Sequence, residues 1–168
     1  QSDGKIIVGG PFGGNVQADL VRLRSNGGVD GGFAKNNYSG AGHKGIYALD
    51  VDSQDRIYIG GDFHDLNQSG ISRFARLSKN GVLDENYTPY LPFGYSSFIS
   101  SISVVNDEEI VLGADNDWLI GSLTSGPRPS VLVVNSSGTV LDVPYDDFTS
   151  YGTVNSSYFD GITLYLAG

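Results

Sequence analysis

The side chains best suited to ligand chemistry lie in long polar segments that separate short apolar runs. These segments combine aromatic rings with Asn, Asp and Gly, a mixture that suits stacking on a sugar ring or anchoring a protein partner. The candidate ligand-binding residues are Tyr38, His64, Tyr90, Phe93, Tyr95, Asp115, Asp117 and Trp118. The competing interpretation is that most of these rings fold back and seal the apolar ends of the neighbouring strands.

Signatures of catalysis and of metal binding are missing from the sequence. The two histidines, His43 and His64, have no Cys partner, and the chain contains neither a His-Glu-x-x-His motif nor a nucleophile elbow. The segment Asp50–Asp55 resembles a calcium loop, but it lacks the Gly at the sixth position and the terminal Glu. We therefore expect no catalytic residue, no metal and no cofactor. A carboxylate pair for glycoside hydrolysis could still be drawn from the 19 acidic residues.

A repeated carboxylate has a simpler explanation than catalysis. Asp30, Asp84 and Asp142 are each followed three residues later by an aromatic residue. A catalytic set occurs once in its site, whereas a structural feature is copied with its repeat. We therefore expect each Asp to accept backbone N–H groups in a turn, with the ring packed between neighbouring sheets.

Composition and charge exclude several classes of protein. The chain has 168 residues, of which 24 are Gly, 10 Tyr and 8 Phe, and it contains no Cys, a profile that favours short strands and tight turns. Its net charge of −9 argues against nucleic acid and anionic membrane surfaces as partners. No apolar stretch approaches the roughly 20 residues of a membrane span, so we expect no membrane insertion. Because the first residue is Gln, we expect the translational start to lie further upstream.

Two motifs recur about every 50 residues along the chain. The first is an apolar run that ends in small residues, and its copies are Gly4–Phe12, Asp55–Phe63, Glu109–Ala114 and Thr163–Gly168. The second places a Gly-bearing turn between apolar residues, and its copies are Arg22–Phe33, Arg76–Tyr87 and Val133–Tyr145. Asn-Gly in the first two turns predicts hairpins in which both central residues have positive φ.

Each repeat is therefore expected to form four short antiparallel strands, which is the blade of a β-propeller. In the second repeat the strands are predicted at Ile46–Val51, Ile57–Gly61, Ser72–Ser78 and Leu83–Tyr87. The alternation predicts that Ile57 and Ile59 face one neighbouring blade and that Tyr58 faces the other.

We expect an all-β chain that forms a single β-propeller segment over residues 1–168. Its repeat units are predicted at approximately 1–45, 46–98, 99–150 and 151–168. About thirteen strands make about three and a quarter four-stranded blades, fewer than the about four to eight of a closed propeller. An arc of this size would leave sheet edges and apolar faces uncovered. We therefore expect the rest of a longer polypeptide, or further copies of the chain, to complete the propeller.

The first repeat carries a specific resemblance. Gln1–Phe12, followed by Arg22-Leu23 and by the segment from Asp30 to Phe33, resembles the delta-60 repeat family of bacterial β-propellers. The similarity is weaker in the last two units, where Gly113-Ala114 and Ala167-Gly168 replace Gly-Gly. The resemblance implies a non-catalytic repeat found in large secreted, surface or virion-associated proteins, with no catalytic residues to carry over.

These observations favour a non-enzymatic scaffold or binding module of a larger extracellular, cell-surface or virion protein. Its long-loop face would serve adhesion or docking to a protein or glycan on a surface. We define this face by the long loops predicted at Pro11–Ala18, Ala34–Gly45, Asp62–Ile71, Thr88–Phe98 and Asp115–Pro129. Two alternatives stay open: a lectin or carbohydrate-active enzyme with its site in the propeller mouth, and a structural component of a phage tail. The sequence also leaves open whether the five Asn-x-Ser/Thr sites are glycosylated, which begin at Asn37, Asn67, Asn86, Asn135 and Asn155.

Overall fold

The fold consists of short strands joined by turns. The computed structural model describes residues 1–10, 19–37, 45–89, 91, 98–115, 130–142 and 153–168. The eleven strands within these residues are β1 (Ile6–Gly9), β2 (Leu20–Leu23), β3 (Gly45–Val51), β4 (Ile57–Asp62), β5 (Phe74–Leu77), β6 (Phe98–Asn106), β7 (Glu109–Asp115), β8 (Val131–Val134), β9 (Val140–Asp142), β10 (Ser156–Phe159) and β11 (Leu164–Ala167). Helical structure in the described residues is limited to a three-residue 3-10 turn, Leu66–Gln68.

The strands form four antiparallel sheets in chain order. The first sheet is β1–β2, the second β3–β4–β5, the third β6–β7–β8–β9 and the fourth β10–β11. In the first two sheets an isolated bridge stands where a fourth strand is expected, at Leu23↔Val29 and at Leu77↔Leu83. This arrangement confirms the prediction of an all-β chain whose sheets have the strand order of propeller blades.

The fourth strand of the second repeat is shorter than the predicted Leu83–Tyr87. Leu83 bridges to Leu77, and the chain then turns, with the Tyr87 N–H donating to the Asp84 carbonyl at 3.1 Å. The Asp84 side chain accepts the Asn86 N–H at 3.2 Å. Because a short carboxylate side chain competes for the backbone donors that a strand would use, pairing ends after one residue.

The hairpin turns differ from the predicted type. Gly27, Gly81 and Gly138 have φ values of 82°, 83° and 86°, whereas Asn26 and Asn80 are not among the residues with positive φ. In each turn the glycine N–H donates to the carbonyl three residues earlier, at 2.8 to 3.0 Å. The loops therefore have three residues, a type I turn followed by a left-handed glycine, and one positive φ is enough to reverse the chain. The third repeat, which has Ser137 in place of Asn, forms the same turn.

The first two sheets share one apolar core. Alternating β-branched and aromatic residues favour a strand buried on both faces, and Ile57, Tyr58 and Ile59 of β4 are all fully buried. Ile57 and Ile59 belong to a cluster that includes Leu20 and Phe33 of the first repeat. The alternation predicted for β4 is therefore confirmed on the face that meets the first repeat.

Small residues let neighbouring sheets approach closely. A Cβ atom built on Gly9 would lie 2.9 Å from side-chain atoms of Ile46 and Leu49, on the first strand of the second sheet. The equivalent Gly113 faces Val154, whose Cγ1 would lie 2.8 Å from an added Cβ. Both positions therefore require glycine for close packing onto the next repeat.

The described residues cluster into two compact units, Gln1–Thr88 and Pro89–Gly168. The second unit has its own core around Val111, Val131 and Val154, and β10 lies against β6 within it. The boundaries given above for the four repeat units stay a prediction. Among the residues that the structure describes, no helix has the length and apolar character needed to cross a membrane.

Candidate functional site

Most of the predicted ligand-binding residues lie outside the described part of the chain. These are Tyr38, Tyr90, Phe93, Tyr95, Asp117 and Trp118. The structure describes two of the candidates, His64 in the first compact unit and Asp115 in the second. The proposed binding role of the whole set stays a prediction.

His64 follows β4 at the start of a long loop. Its Nε2 lies 3.6 Å from the Asp62 Oδ1, and one third of its side chain is exposed. At that distance the pair is an electrostatic contact that becomes an ion pair when the imidazole is protonated. His64 is therefore accessible to a ligand and is positioned by an adjacent carboxylate.

Asp115 ends β7 and is held by Thr153, which precedes β10. Its Oδ1 accepts a hydrogen bond of 2.8 Å from the Thr153 hydroxyl. Its backbone pairs with Phe98 at the start of β6. A structural contact therefore engages one oxygen of this carboxylate.

The loop after His64 concentrates unusual backbone conformations. Asp65, Asn67, Gln68 and Arg73 have positive φ values of 48°, 54°, 63° and 68°, four of the five non-glycine residues with positive φ in the described part of the chain. Left-handed conformations of non-glycine residues cost free energy and persist where surrounding contacts enforce them. Backbone strain of this kind occurs at binding sites more often than elsewhere.

Two asparagines enforce that loop conformation. The Asn67 side chain donates to Asn36 Oδ1 and accepts the Asn37 N–H, both at 2.8 Å, and the Asn67 N–H donates to the Asn37 carbonyl at 2.7 Å. Asn36 is itself buried and donates to the Gly81 carbonyl at 2.9 Å. The loop is thereby attached to the segment that follows the first repeat's aromatic residue, and it forms a rigid support for His64.

The repeated Asp residues form a structural set with an Arg and an aromatic ring. In the second repeat the Arg76 Nη2 lies 2.6 Å from the Asp84 Oδ2, and the Arg76 Cζ lies 4.0 Å from the centroid of the Tyr87 ring. The guanidinium is thus held between a carboxylate and an aromatic face. Arg76 stands on β5 among apolar residues, where an unpaired charge would be costly.

The first repeat has the same set, and it also reaches the second repeat. The Arg22 Nη2 lies 2.9 Å from the Asp30 Oδ2, and the Arg22 Cζ lies 4.9 Å from the centroid of the Phe33 ring. The Arg22 Nη1 donates to the Lys79 carbonyl at 2.6 Å. The backbone N–H of Gly32 is the main cause that lowers the pKa of Asp30, followed by the charge of Arg22.

This geometry confirms that Asp30 and Asp84 serve structure, because each accepts a turn N–H and pairs with an Arg. The prediction from sequence missed the two arginines. Their signal was an Arg at a fixed position eight residues before the Asp, within an otherwise apolar strand. In the third repeat Val133 stands where the Arg is expected, five residues before the turn glycine Gly138, and it lies opposite Asp142 in the sheet register.

A second carboxylate network closes the turn between β3 and β4. Asp52 is buried, and its Oδ1 accepts the N–H groups of Gln54 and Arg56 at 3.0 and 2.9 Å. Its Oδ2 accepts the Arg56 Nε–H and, at 3.2 Å, the hydroxyl of Tyr58. With all these donors in place, the Asp50–Asp55 segment is a hydrogen-bonded turn and has no free carboxylate at Asp52 for calcium.

The Tyr58 ring lies in an aromatic cluster. Its centroid is 6.2 Å from that of Phe74 and 5.9 Å from that of Tyr87. Burial raises the pKa of Tyr58 and of Tyr87, so both phenols are neutral at physiological pH. The cluster therefore contributes packing and hydrogen bonds and does not supply a phenolate nucleophile.

Most polar groups of these sets are bonded to one another or to backbone groups, and the buried Arg56 Nη2 is an exception. Within the ranges that the structure describes, no group of three or more His, Cys, Asp or Glu side chains could hold a metal ion. The arrangement can position loops and neighbouring sheets. What it offers a ligand is the accessible His64 on its rigid loop.

Comparison with known proteins agrees with this repeat structure. A family model described as a β-propeller domain of unknown function (DUF5122) matches residues 1–33 and 55–87, which contain the first two Arg, Asp and aromatic sets. No curated protein and no solved structure matches the chain. The matched segments, together with the antiparallel sheets, support a β-propeller repeat architecture for this chain.

Proposed function

We propose that the chain is a non-enzymatic β-propeller scaffold that presents its long-loop face for adhesion or protein docking. We further propose that it acts within a larger extracellular, cell-surface or virion protein, and that its repeats are of the delta-60 type. The paired small residues Gly9-Gly10 and Gly60-Gly61 and the Arg to Asp spacing support the delta-60 assignment.

One observation carries the scaffold proposal. The chemistry-bearing residues that recur, Arg22 with Asp30 and Arg76 with Asp84, are bonded to each other and to backbone groups. Residues used this way hold sheets and turns in place. Binding is then left to the loops, which a rigid scaffold can present in a fixed arrangement.

The loop that begins at His64 supports the binding half of the proposal. Its left-handed residues and its asparagine contacts hold one segment of the long-loop face in a defined conformation. A preorganised loop loses less conformational entropy when a partner binds.

An array that carries both purified extracellular proteins and glycans tests the proposal with the intact chain. We expect binding to protein spots that falls at least tenfold in Trp118→Ala and Tyr90→Ala. Val82→Ser changes an exposed residue of a short turn and serves as the matched control, which should bind as well as the wild type.

Two results would redirect the proposal. Binding confined to glycan spots would favour the lectin alternative. Hydrolysis of a polysaccharide by the wild type, abolished in Asp115→Asn or Asp117→Asn, would contradict a non-enzymatic role.

A further inference from the structure

The turn that ends the second repeat presents two polar side chains to solvent, one on either side of a buried ring. Asn86 and Thr88 are exposed, and Tyr87 between them is buried. The Asn86 backbone N–H bonds to the Asp84 side chain. Among the residues that the structure describes, no hydrogen bond engages the Asn86 side-chain amide or the Thr88 hydroxyl. Both groups are therefore available to an external enzyme.

The first repeat shows that the turn forms without these two side chains. Gly32 stands at the position of Asn86, and Ala34 stands at the position of Thr88. The Gly32 N–H bonds to the aspartate two residues earlier at 3.1 Å, and the Asn86 N–H makes the same bond at 3.2 Å. The aspartate and the aromatic ring recur because the fold uses them. The amide of Asn86 and the hydroxyl of Thr88 have no such use in the fold.

Asn86 begins one of the five Asn-x-Ser/Thr sequences, which are acceptors for N-linked glycosylation. The loop after His64 contains another, and there the fold uses the acceptor amide itself. The Asn67 Nδ2 donates to the Oδ1 of the buried Asn36 at 2.8 Å. A sugar on this nitrogen would disturb the contact that holds the loop. Folding and glycosylation are therefore in conflict at Asn67.

The remaining sites are engaged in the second unit or extend outside the described residues. The Asn135 Oδ1 accepts two N–H groups of its own turn, at 3.0 and 2.8 Å. The site that begins at Asn155 ends at Ser157, whose hydroxyl accepts from the Ser103 hydroxyl at 2.8 Å. The site at Asn37 ends at a serine outside the described residues. Among the four sites that the structure describes in full, the one that ends the second repeat is thus the one whose amide and hydroxyl the fold leaves unused.

We propose that Asn86 is the acceptor for an N-linked oligosaccharide. The Asn86 Nδ2 attacks the anomeric carbon of an oligosaccharide that is carried on a lipid pyrophosphate. A carbon–nitrogen bond forms, the bond from that carbon to the phosphate oxygen breaks, and the lipid pyrophosphate leaves. One amide proton passes to a base of the transferring enzyme, an oligosaccharyltransferase, which recognises the Thr88 hydroxyl. The inference rests on the extracellular location proposed above, because N-glycosylation acts on secreted chains.

The fold can accept a sugar at this position. Asn86 is exposed, and the buried Tyr87 ring beside it anchors the turn in the aromatic cluster with Tyr58 and Phe74. A glycan on the Asn86 amide extends into solvent and leaves that cluster intact. We therefore expect the urea midpoint of the glycosylated protein to stay the same after enzymatic removal of the glycan.

Secretion of the full chain from cultured eukaryotic cells, directed by a cleavable signal peptide, exposes all five sites to oligosaccharyltransferase. We expect most secreted molecules to carry a glycan at Asn86 and none to carry one at Asn67. Peptide N-glycosidase converts each occupied Asn into Asp as it removes the glycan. Peptide mapping by mass spectrometry after this treatment therefore identifies the occupied site.

Two variants of one residue form the matched pair. Thr88→Ala introduces the residue that the first repeat has at this position, so the chain should fold as the wild type does and lose the glycan. Thr88→Ser keeps a hydroxyl and should keep the glycan. Asn86→Gln removes the acceptor and should also lose it. Circular dichroism confirms that each variant is folded.

Three results would overturn the inference: no glycan at Asn86 in the secreted wild type, a glycan that persists at Asn86 in Thr88→Ala, or occupancy of Asn67 equal to that of Asn86. The array experiment described above is independent of this one. Loss of protein binding there would contradict the proposed docking function and leave the glycan at Asn86 unaffected. An unoccupied Asn86 would leave the docking face unaffected.

Discussion

The second and fourth sheets begin alike and differ in what lies beside their second strand. Both place a tyrosine on that strand, Tyr58 or Tyr165, and both bond its hydroxyl to an aspartate of the preceding turn. In the second sheet β5 adds Phe74 and Arg76, and Tyr58 is fully buried. In the fourth sheet, Tyr165 is more than half exposed.

The different burial of the two tyrosines indicates that a hairpin such as that of β3 and β4 does not by itself create a core. The same Asp and Tyr contacts exist in both sheets, so they set local geometry without determining burial. Burial comes with a third strand that brings an aromatic ring and a paired Arg. A two-stranded hairpin of this kind therefore needs a third strand to bury its aromatic residue.

The sharpest test of this comparison replaces each tyrosine by alanine. Tyr58→Ala removes a fully buried ring and should lower the free energy of unfolding by about 3–5 kcal/mol. Tyr165→Ala removes an exposed ring and should change it by about 0.5 kcal/mol or less. Urea denaturation followed by circular dichroism measures both values, and equal losses would contradict the comparison.

A second pair of variants compares turn glycines. Gly81 in the second repeat and Gly161 in the fourth have φ values of 83° and 98°, and alanine at either position should cost about 1–2 kcal/mol for its left-handed backbone. At Gly81 the added Cβ would also lie 2.7 Å from the Phe33 ring, while at Gly161 it would meet nothing within 4 Å. We expect Gly81→Ala to lose roughly 1 kcal/mol more in the same urea experiment. A loss for Gly81→Ala no larger than that for Gly161→Ala would show that the Phe33 ring moves aside without a cost in free energy.

The smallest expected effect is a pH dependence of the second repeat. Burial raises the pKa values of Tyr58 and Tyr87 above the ordinary 10.0, so the unfolded chain releases these protons first as the pH rises. The unfolded state then binds fewer protons than the folded state, and stability falls above about pH 10. The urea midpoint measured from pH 8 to 11 should fall less steeply in Tyr87→Phe. An unchanged slope would mean that ionisation of Tyr87 does not contribute.

Much of the fold could be predicted because each repeat contains short, local sequence patterns. Alternating residues such as Ile57, Tyr58 and Ile59 indicate a strand buried on both faces, and the spacing of Gly9 and Gly60 reveals the repeat. The Asp followed by an aromatic residue also indicated a structural turn. These features depend on neighbours in the chain, which a sequence displays directly.

The missed features depend on contacts between distant residues. The pairing of Arg76 with Asp84 and its position over the Tyr87 ring require the chain to reverse, so the sequence alone did not reveal the role of the Arg. The prediction of the hairpin turn type was wrong because Asn-Gly occurs both in two-residue and in three-residue loops, and strand pairing selects between them. Likewise, the exposure of Tyr165 depends on whether another strand lies beside β11.

The hydrogen bond from Arg22 to the Lys79 carbonyl has a consequence for the divergence of such repeats. A carbonyl group is present whatever amino acid occupies position 79, so this bond does not constrain the side chain there, whereas the bond of 3.3 Å from the Arg22 Nη1 to the Asn80 Oδ1 does depend on the residue at position 80. Duplicated repeats can then accumulate substitutions at the position of Lys79 while the bond between them persists. In a protein built from such repeats, the residue that supplies the carbonyl can therefore differ from repeat to repeat while the hydrogen bond between the repeats is kept.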